Sequence, residues 1–245
     1  MIRLWTLPTL ARLAATVALA SLASMSMAQI GGKTAADGPF VIDDIEDLNL
    51  SSETLGRDWI PDFIGEDPAL QAIDPSTAGL TLASGQSSSG VFEFTAPAPF
   101  GFIDTSFGIP MPSVAGASTL DNPGDITSFT YITFQSVADI AIPGIEYNII
   151  LECYPQNPDD SFPRVFWNFQ PATGTTFDFN AIELRQPSSI ANNQNSRTLE
   201  ELLGQTRFLS FYVYAETEQG NVVNLYMDDI TLQEQPSSAE DWLLY

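Results

Sequence analysis

Two neighbouring stretches near the end of the chain decide the fold: FLSFYVYA (residues 208–215) and VVNLYMDDITL (residues 222–232), joined by QGN (residues 219–221). In the first stretch Tyr212 and Tyr214 share one face, and apolar residues occupy the other. Side chains that alternate with a period of two are typical of a half-buried β-strand. A Gly-containing segment between two such stretches indicates a turn. The pattern therefore predicts two strands joined by a turn.

The same short alternating segments recur through most of the chain. The other strand candidates are residues 40–47, 79–83, 91–95, 126–136, 147–154, 164–170 and 177–184. One short helix is expected after Thr198, because Thr198 and Glu201 have the spacing of a capping box and Gly204 follows as a terminator. Strands do not alternate with helices as they do in parallel sheets. The sequence therefore predicts an all-β fold, an antiparallel β-sandwich with one short helix.

Residues 96–125 interrupt this pattern. They are rich in Pro, Gly and Ser, and they carry Phe100, Phe102 and Phe107 without strand or helix periodicity. A long segment without secondary structure is uncommon inside a compact domain and is either a binding loop or a strap packed across the sandwich. Packing is favoured, because three phenylalanine side chains are costly to leave in water.

The first 28 residues have the features of a secretory signal peptide. Arg3 and Arg12 supply positive charge, residues 13–22 are apolar, and small residues at positions −3 and −1 favour cleavage before Gln29. The alternative, a membrane anchor, is disfavoured because the apolar run is too short to span a bilayer comfortably. We expect a secreted, periplasmic or extracellular protein that does not insert into a membrane after cleavage.

The remainder divides into three parts. Residues 29–39 are expected to form a flexible lead-in, residues 40–234 the folded domain, and residues 235–245 a C-terminal tail.

Composition excludes several classes of chemistry. The chain has 245 residues, no His and one Cys, so His-based nucleophile arrangements, His-ligated metals, internal disulfides and CxxC redox pairs are impossible. The formal net charge is −23, and removal of residues 1–28, which carry two Arg and no acidic residue, makes it −25. Because so acidic a chain cannot neutralise phosphates, no nucleic-acid partner is expected.

The two ends of the predicted domain resemble a known family. IDDIED (residues 42–47) followed by Trp59 is similar to the "DDFED…W" start of galactose-binding-like jelly rolls. LYMDDITL (residues 225–232) is similar to their last strand. The family includes several carbohydrate-binding modules and the related CIA30-type domains. The resemblance covers residues 40–234 and implies a jelly-roll β-sandwich that binds carbohydrate.

The resemblance also implies a structural calcium ion where the first and last strands lie close together. The matching residues are Asp44, Glu46 and Asp228. Asp44 and Glu46 are two apart and would share a strand face, whereas Asp228 and Asp229 would point to opposite faces, so only one of them would serve. Carboxylate oxygens are ligands that calcium prefers. The alternative is that these carboxylates are simply solvated in a very acidic protein.

Carbohydrate recognition calls for flat aromatic rings beside amide or charged groups. Trp167 and Asn168 offer both types of group, and Arg164 is a rare cation in this chain that could make directed hydrogen bonds. Aromatic side chains on central strands are also common core residues, and Trp167 fits either role. The predicted ligand-binding set is Trp167, Tyr131, Tyr212, Tyr214, Arg164 and Asn168.

Three functions follow from these features. The leading hypothesis is an exported, non-catalytic module that binds a carbohydrate or another surface polymer. The alternative is a structural or adhesive protein of the cell envelope without a small-molecule ligand. A third is a carboxylate-based glycosidase or lyase, since glycoside hydrolysis needs only two carboxylates, but no acid and base pair stands out from the acidic background.

Overall fold

The computed structural model describes residues 30–62, 79–83, 90–114 and 119–235. One five-residue α-helix, α1, spans Leu199–Leu203, and a 3-10 turn spans Ala35–Asp37. The strands are β1 (Phe40–Asp43), β2 (Ser51–Ser52), β3 (Arg57–Asp58), β4 (Ile60–Asp62), β5 (Gly79–Ala83), β6 (Val91–Pro97), β7 (Phe102–Pro110), β8 (Tyr131–Ala138), β9 (Glu146–Cys153), β10 (Arg164–Phe169), β11 (Ala172–Thr173), β12 (Asp178–Glu183), β13 (Ser189–Ala191), β14 (Thr206–Glu216) and β15 (Val222–Gln233).

The strands form two main sheets that pack face to face. The six-stranded sheet has the order β13-β10-β9-β14-β7-β4, and every neighbouring pair is antiparallel. The seven-stranded sheet has the order β11-β8-β15-β6-β5, with β1 paired to β15 and β12 paired to β8. Only the short β11 runs parallel to its neighbour among these described pairs. The predicted all-β antiparallel sandwich with one short helix is confirmed.

Aromatic side chains from both sheets fill the space between them. Phe211 on β14 stacks on Phe107 of β7 with ring centroids 5.3 Å apart, and it meets the edge of Phe134 on β8 at 5.3 Å. Trp59, which follows β3, packs on Phe92 of β6 with centroids 5.1 Å apart. Such tilted and edge-to-face pairs add stability beyond the apolar area that they bury.

The helix begins as its sequence predicts. The Thr198 hydroxyl accepts a hydrogen bond from the Glu201 backbone N–H at 3.2 Å, and the Glu201 carboxylate accepts one from the Thr198 backbone N–H at 2.7 Å. These reciprocal bonds satisfy two of the N–H groups that a helix N-terminus leaves without partners.

The sequence predicts a loop or strap without secondary structure over residues 96–125. The structure differs, because this segment contains the nine-residue strand β7. Its alternation is hidden by Ser106 and Gly108, two small residues that are buried on the side away from the core. The three phenylalanines do not share one environment: Phe107 is fully buried, Phe102 is half-buried and Phe100 is 62% exposed.

Residues just after the expected cleavage point contact the folded domain. Ile30 is fully buried, and the backbone N–H groups of Gly31 and Gly32 donate hydrogen bonds to the carbonyls of Pro112 and Ser113. Residues 1–29 and the tail beyond residue 235 lie outside the described residues, so the signal peptide stays a prediction. Among the residues that are described, no helix is both long and apolar enough to cross a membrane.

Candidate carbohydrate-binding face

The candidate site is the face of the six-stranded sheet that points away from the core, called here the outer face. Cross-strand register defines it. Trp167, Ile149, Phe211 and Phe107 are opposite one another on β10, β9, β14 and β7, and all are buried in the core. Because side chains alternate along a strand, the residues before and after each of these point outward. The outer face includes Arg164, Phe166, Asn168, Glu146, Asn148, Ile150, Glu152, Phe208, Ser210, Tyr212, Tyr214, Asp104, Ser106 and Gly108.

Four half-buried aromatic rings stand on this face. Phe208, Tyr212 and Tyr214 come from β14, and Phe166 comes from β10. Phe208 and Tyr214 are six residues apart, which corresponds to about 20 Å along an extended strand. Half-buried rings in a line of this length offer apolar surface to a ligand that runs along the strand.

Small residues form the floor beneath these rings. Ser106, Gly108 and Ser210 are buried although they point outward. A Cβ atom added to Gly108 would lie 2.4 Å from Cε1 of Phe208 and 2.3 Å from the carbonyl oxygen of Leu209. Gly108 therefore allows the Phe208 ring to lie against the neighbouring strand.

A three-residue ion-pair network lies at one end of the face. Nε of Arg164 is 3.3 Å from Oε2 of Glu152, and Nη1 of Arg207 pairs with Oε1 of the same carboxylate. The guanidinium of Arg207 also lies 4.4 Å from the centre of the Phe162 ring, a distance typical of a cation–π contact. One carboxylate thus partly offsets two of the few positive charges of the chain.

Hydrogen-bonding groups lie between the rings. The Tyr212 hydroxyl donates to Oδ1 of Asp104 at 2.8 Å, and burial together with this carboxylate raises the pKa of Tyr212. Asn168, Asn148 and Tyr212 form one cross-strand row. Within the part of the chain that the structure describes, the Tyr214 hydroxyl and the Asn168 side-chain amide form no hydrogen bond with protein groups. These two groups can therefore bond to a ligand.

The structure brings four of the six predicted ligand-binding residues together. Arg164, Asn168, Tyr212 and Tyr214 all lie on the outer face. Trp167 does not, which corrects the prediction that it contacts a ligand: its side chain is 1% exposed and belongs to the core. Trp167 is a core residue, the other role considered for it, because its side chain is on the inward side of β10, opposite the buried Ile149. Tyr131 lies on β8 of the other sheet, opposite Gln233, and so is separate from the outer face.

Phe166, Phe208, Asn148 and Asp104 are outer-face residues that the sequence analysis missed. Alternation could have found two of them, because Phe166 must share a face with Asn168, and Phe208 must share one with Tyr212 and Tyr214. Asp104 could not be placed, since β7 was not recognised as a strand.

The predicted calcium ligands lie around the junction of β1 and β15. Asp44 and Glu46 are exposed just after β1, whereas Asp228 is 5% exposed and accepts a hydrogen bond from the backbone N–H of Asp229. Asp229 interacts electrostatically with Asp44 and Glu46. Burial raises the pKa of Asp229, and the negative charges of Asp44 and Glu46 raise it further. A hydrogen bond from Gln135 opposes this shift. Asp229 has φ of 54°, in the left-handed region, at a bulge in the pairing of β15 with β8.

Asp43 is the buried carboxylate of the same junction. It accepts hydrogen bonds from the Trp59 indole N–H at 2.8 Å and from the Ile45 backbone N–H at 2.9 Å. Burial raises the pKa of Asp43 to about 6, and these two hydrogen bonds oppose the shift. Asp43 therefore anchors the Trp59 side chain and does not face solvent. Over the described ranges, no group of three or more Asp, Glu or Cys side chains is placed to hold a metal ion.

Comparison with known proteins finds similarity only at the level of structure. No family model matches the sequence, and no curated protein matches it. The family 11 carbohydrate-binding module of a cellulosomal cellulase from Clostridium thermocellum has a TM-score of 0.48 and 11% identity, covering 82% of this chain and 98% of the module. The family 30 module of another Clostridium thermocellum cellulosomal cellulase has a TM-score of 0.44 and 10% identity, with coverages of 64% and 83%.

A third similar structure is the module CBM27-1 of Caldicellulosiruptor saccharolyticus in complex with mannohexaose. Its TM-score is 0.44 and its identity 11%, covering 81% of this chain and 98% of the module. All three are carbohydrate-binding modules, the type of domain that the two end motifs resemble. At these TM-scores and identities, the ligands of those modules are properties of those modules and are not assigned to this chain.

Proposed function

We propose that this protein is an exported, non-catalytic module that binds a neutral polysaccharide along the outer face of its six-stranded sheet. The observation that carries the proposal is the line of half-buried rings, Phe208, Tyr212 and Tyr214, on β14. Phe166 and the free amide of Asn168 are on the same face, two strands away on β10. Rings of this kind stack on the apolar faces of pyranoses, and amide or hydroxyl groups bond to sugar hydroxyls.

The length of the line favours a polymer over a single sugar. The roughly 20 Å between Phe208 and Tyr214 provides room for several consecutive sugar rings. A ligand that contacts several rings at once accumulates small stacking energies, each on the order of 1 kcal/mol. Short oligosaccharides should therefore bind less tightly than long ones.

The charges of the face favour a neutral polymer over an anionic one. Arg164 and Arg207 are both paired with Glu152, so neither is a free cation. Asp104 and Glu146 add negative charge to the same face. An anionic polysaccharide would meet a surface of like charge on a protein whose formal net charge is −23.

Affinity electrophoresis of residues 29–245 tests the proposal, with soluble glucan, mannan, xylan and galactan, and with a uronate polymer as the anionic comparison. We expect a neutral polymer to slow the protein, and Tyr214→Ala to weaken that binding by about tenfold, as expected for loss of a stacking ring. Tyr131→Ala is the matched control, because Tyr131 lies on the other sheet. If no neutral polymer slows the wild-type protein, the carbohydrate proposal fails and the structural or adhesive alternative is favoured.

Export is tested on the protein itself. When the full chain is expressed in a bacterial host, N-terminal sequencing of the material outside the cytoplasm should begin at Gln29. An N-terminus at Met1 in all fractions would contradict cleavage.

The proposal includes a structural divalent cation at the β1–β15 junction, which would draw Asp44, Glu46 and a carboxylate of the last strand together from the positions that they have in the structure. Its support is the pairing of β1 with β15, in which Asp43 is opposite Ile230 and the negative charges of Asp44 and Glu46 are brought towards Asp229. A bound cation would relieve this repulsion and stabilise the folded state by mass action. The resemblance points to Asp228 as the third ligand, while the electrostatic coupling points to Asp229.

Thermal unfolding in calcium and in chelator tests the cation. Calcium should raise the melting temperature, and Asp44→Asn should remove the rise. Asp228→Asn and Asp229→Asn then separate the two candidates for the third ligand. Equal melting temperatures in calcium and chelator would exclude the site.

A further inference from the structure

A small pocket lies on the opposite side of the molecule, on the outward surface of the seven-stranded sheet. Its volume is about 230 Å³, and it is called here the Phe177 pocket. It is lined by Val91, Val137, Asp139, Gly174, Thr175, Phe177 and Tyr226. Tyr226 on β15 is paired with Val137 on β8 and with Glu93 on β6, which places its ring over the middle of the sheet. This position is on the other sheet from the outer face described above.

The walls and floor of the pocket differ in chemistry. Val91 and Val137 are each 2% exposed and make an apolar floor. The half-buried rings of Phe177 and Tyr226 make aromatic walls. Gly174 donates its backbone N–H to the carbonyl of Ala138 at 2.8 Å, which ties the loop carrying Phe177 to the end of β8. The pocket is therefore built on paired strands and a tethered loop.

The polar groups of the pocket are arranged as acceptors. The two oxygens of Asp139 accept hydrogen bonds from the backbone N–H and the side-chain amide of Asn224, at 2.9 Å and 2.8 Å. A carboxylate has further lone pairs after two such bonds. The Tyr226 hydroxyl donates to Oε1 of Glu93 at 3.0 Å, so its own lone pairs remain for a ligand donor.

These features select a ligand of one ring with several hydrogen-bond donors and no negative charge. Asp139 and Glu93 repel anions, and no Lys or Arg is among the described residues that line the pocket. The volume is below the range of about 300–1,000 Å³ that holds drug-sized ligands, which limits the occupant to a single ring. A pyranose meets each requirement, with an apolar face for Phe177 and Tyr226 and hydroxyl groups for Asp139.

We propose that the Phe177 pocket binds one pyranose ring of a neutral glycan, as a second sugar site on the face opposite the polysaccharide-binding face. The pocket stands on its own residues and does not require the outer face to bind anything. With both sites occupied, one module would bridge two glycan chains, or two parts of one chain.

Backbone amide shifts in ¹⁵N-labelled protein distinguish the two sites in one titration. The probes are glucose, galactose, mannose and xylose, each added to tens of millimolar. We expect at least one of them to shift the amides of Gly174, Thr175 and Phe177. Phe177→Ala should weaken this binding by about tenfold, as expected for loss of a ring buried by the ligand. Tyr214→Ala, on the outer face, is the control and should leave it unchanged.

Each outcome separates the second site from the proposed function. Shifts confined to residues 208–214 would overturn the second site and leave the outer face standing. Shifts confined to residues 174–177 would support the pocket and leave the outer face standing, because a single sugar is too short to contact the whole line of rings from Phe208 to Tyr214. No shift at residues 174–177 with any of the four sugars overturns the pocket. Phe177→Leu, which keeps an apolar side chain and removes the ring, must lose binding as Phe177→Ala does; if it binds as wild type, ring stacking is refuted.

Discussion

Replacement of Glu152 by Gln tests the electrostatic account of the outer face. Glu152 holds Arg164 through a 3.3 Å contact and also pairs with Arg207. The substitution keeps the size of the side chain and removes its charge. Gln can still accept one hydrogen bond, but charge-assisted bonds are about twice as strong as neutral ones.

The magnitude follows from the exposure of the three side chains. Glu152 is 16% and Arg164 23% exposed, so solvent screens their pair only weakly, and a hydrogen bond of this kind contributes about 1.5–3 kcal/mol. Arg207 is 40% exposed, so its pair counts as a surface pair of at most about 1 kcal/mol. With one bond kept by Gln, we expect Glu152→Gln to lower the free energy of unfolding by about 1–2 kcal/mol. For a domain of this size that corresponds to a fall in melting temperature of about 2–8 °C.

Urea unfolding and thermal melting measure the change, with Glu146→Gln as the matched control. Glu146 lies on the same strand and the same face, is exposed, and has no ion pair within the described residues. The control should stay within about 0.5 kcal/mol of wild type. The reasoning is refuted if the two variants unfold alike.

The same variant has a consequence for binding. Glu152→Gln leaves Arg164 and Arg207 without their shared carboxylate, which makes the outer face more positive. We expect weak, salt-sensitive binding of an anionic polysaccharide to appear, because attraction between exposed charges is screened by salt. Unchanged exclusion of the anionic polymer would show that the pairing of the two arginines does not govern charge selectivity.

Three further predictions concern stability and reactivity. Gly108→Ala should destabilise the fold by about 1–3 kcal/mol in urea unfolding, because the new Cβ would overlap the Phe208 ring, whereas Gly204→Ala, whose Cβ would meet no atom closer than 3.5 Å, should be nearly neutral. Ile30→Ala should cost about 2–5 kcal/mol in the same assay because Ile30 is fully buried, and a loss no larger than that of the exposed control Val41→Ala would contradict its packing. Burial raises the pKa of the Cys153 thiol to about 12, so iodoacetamide at pH 8 should label Cys153 only after denaturation; labelling of the native protein would show that the thiol is accessible.

Alternation along single strands made most of the sandwich predictable. The stretch 208–215 lies within β14, and 222–232 lies within β15, because each alternates with a period of two over most of its length next to a turn. The bulge after Asp228 interrupts this alternation in β15. Pairing between strands was not predictable from this pattern. These two strands are consecutive in the chain yet belong to different sheets, since the turn between them passes from one layer to the other.

The strand β7 was missed for a definite physical reason. Strands are recognised by one apolar face and one polar face, and β7 is covered on both. Its outward side carries Ser106 and Gly108, which are buried beneath neighbouring side chains, so five consecutive residues are buried and the alternation disappears. Small residues at such positions mark a crowded strand, but in a single sequence they look like a loop.

The candidate site shows how far strand alternation alone can place a side chain. Trp167 and Asn168 are adjacent on β10, so only one of them can point away from the core. The structure resolves the choice through the neighbouring strands: Ile149 on β9 is opposite Trp167, Phe211 on β14 is opposite Ile149, and both are buried. A tryptophan with an amide next to it is therefore weak evidence for a binding platform until the inward side of its strand is known. On this strand the ring available to a ligand is that of Phe166, the less conspicuous aromatic residue, and the shared face of Phe166 with Tyr212 and Tyr214 follows from register, which no single strand encodes.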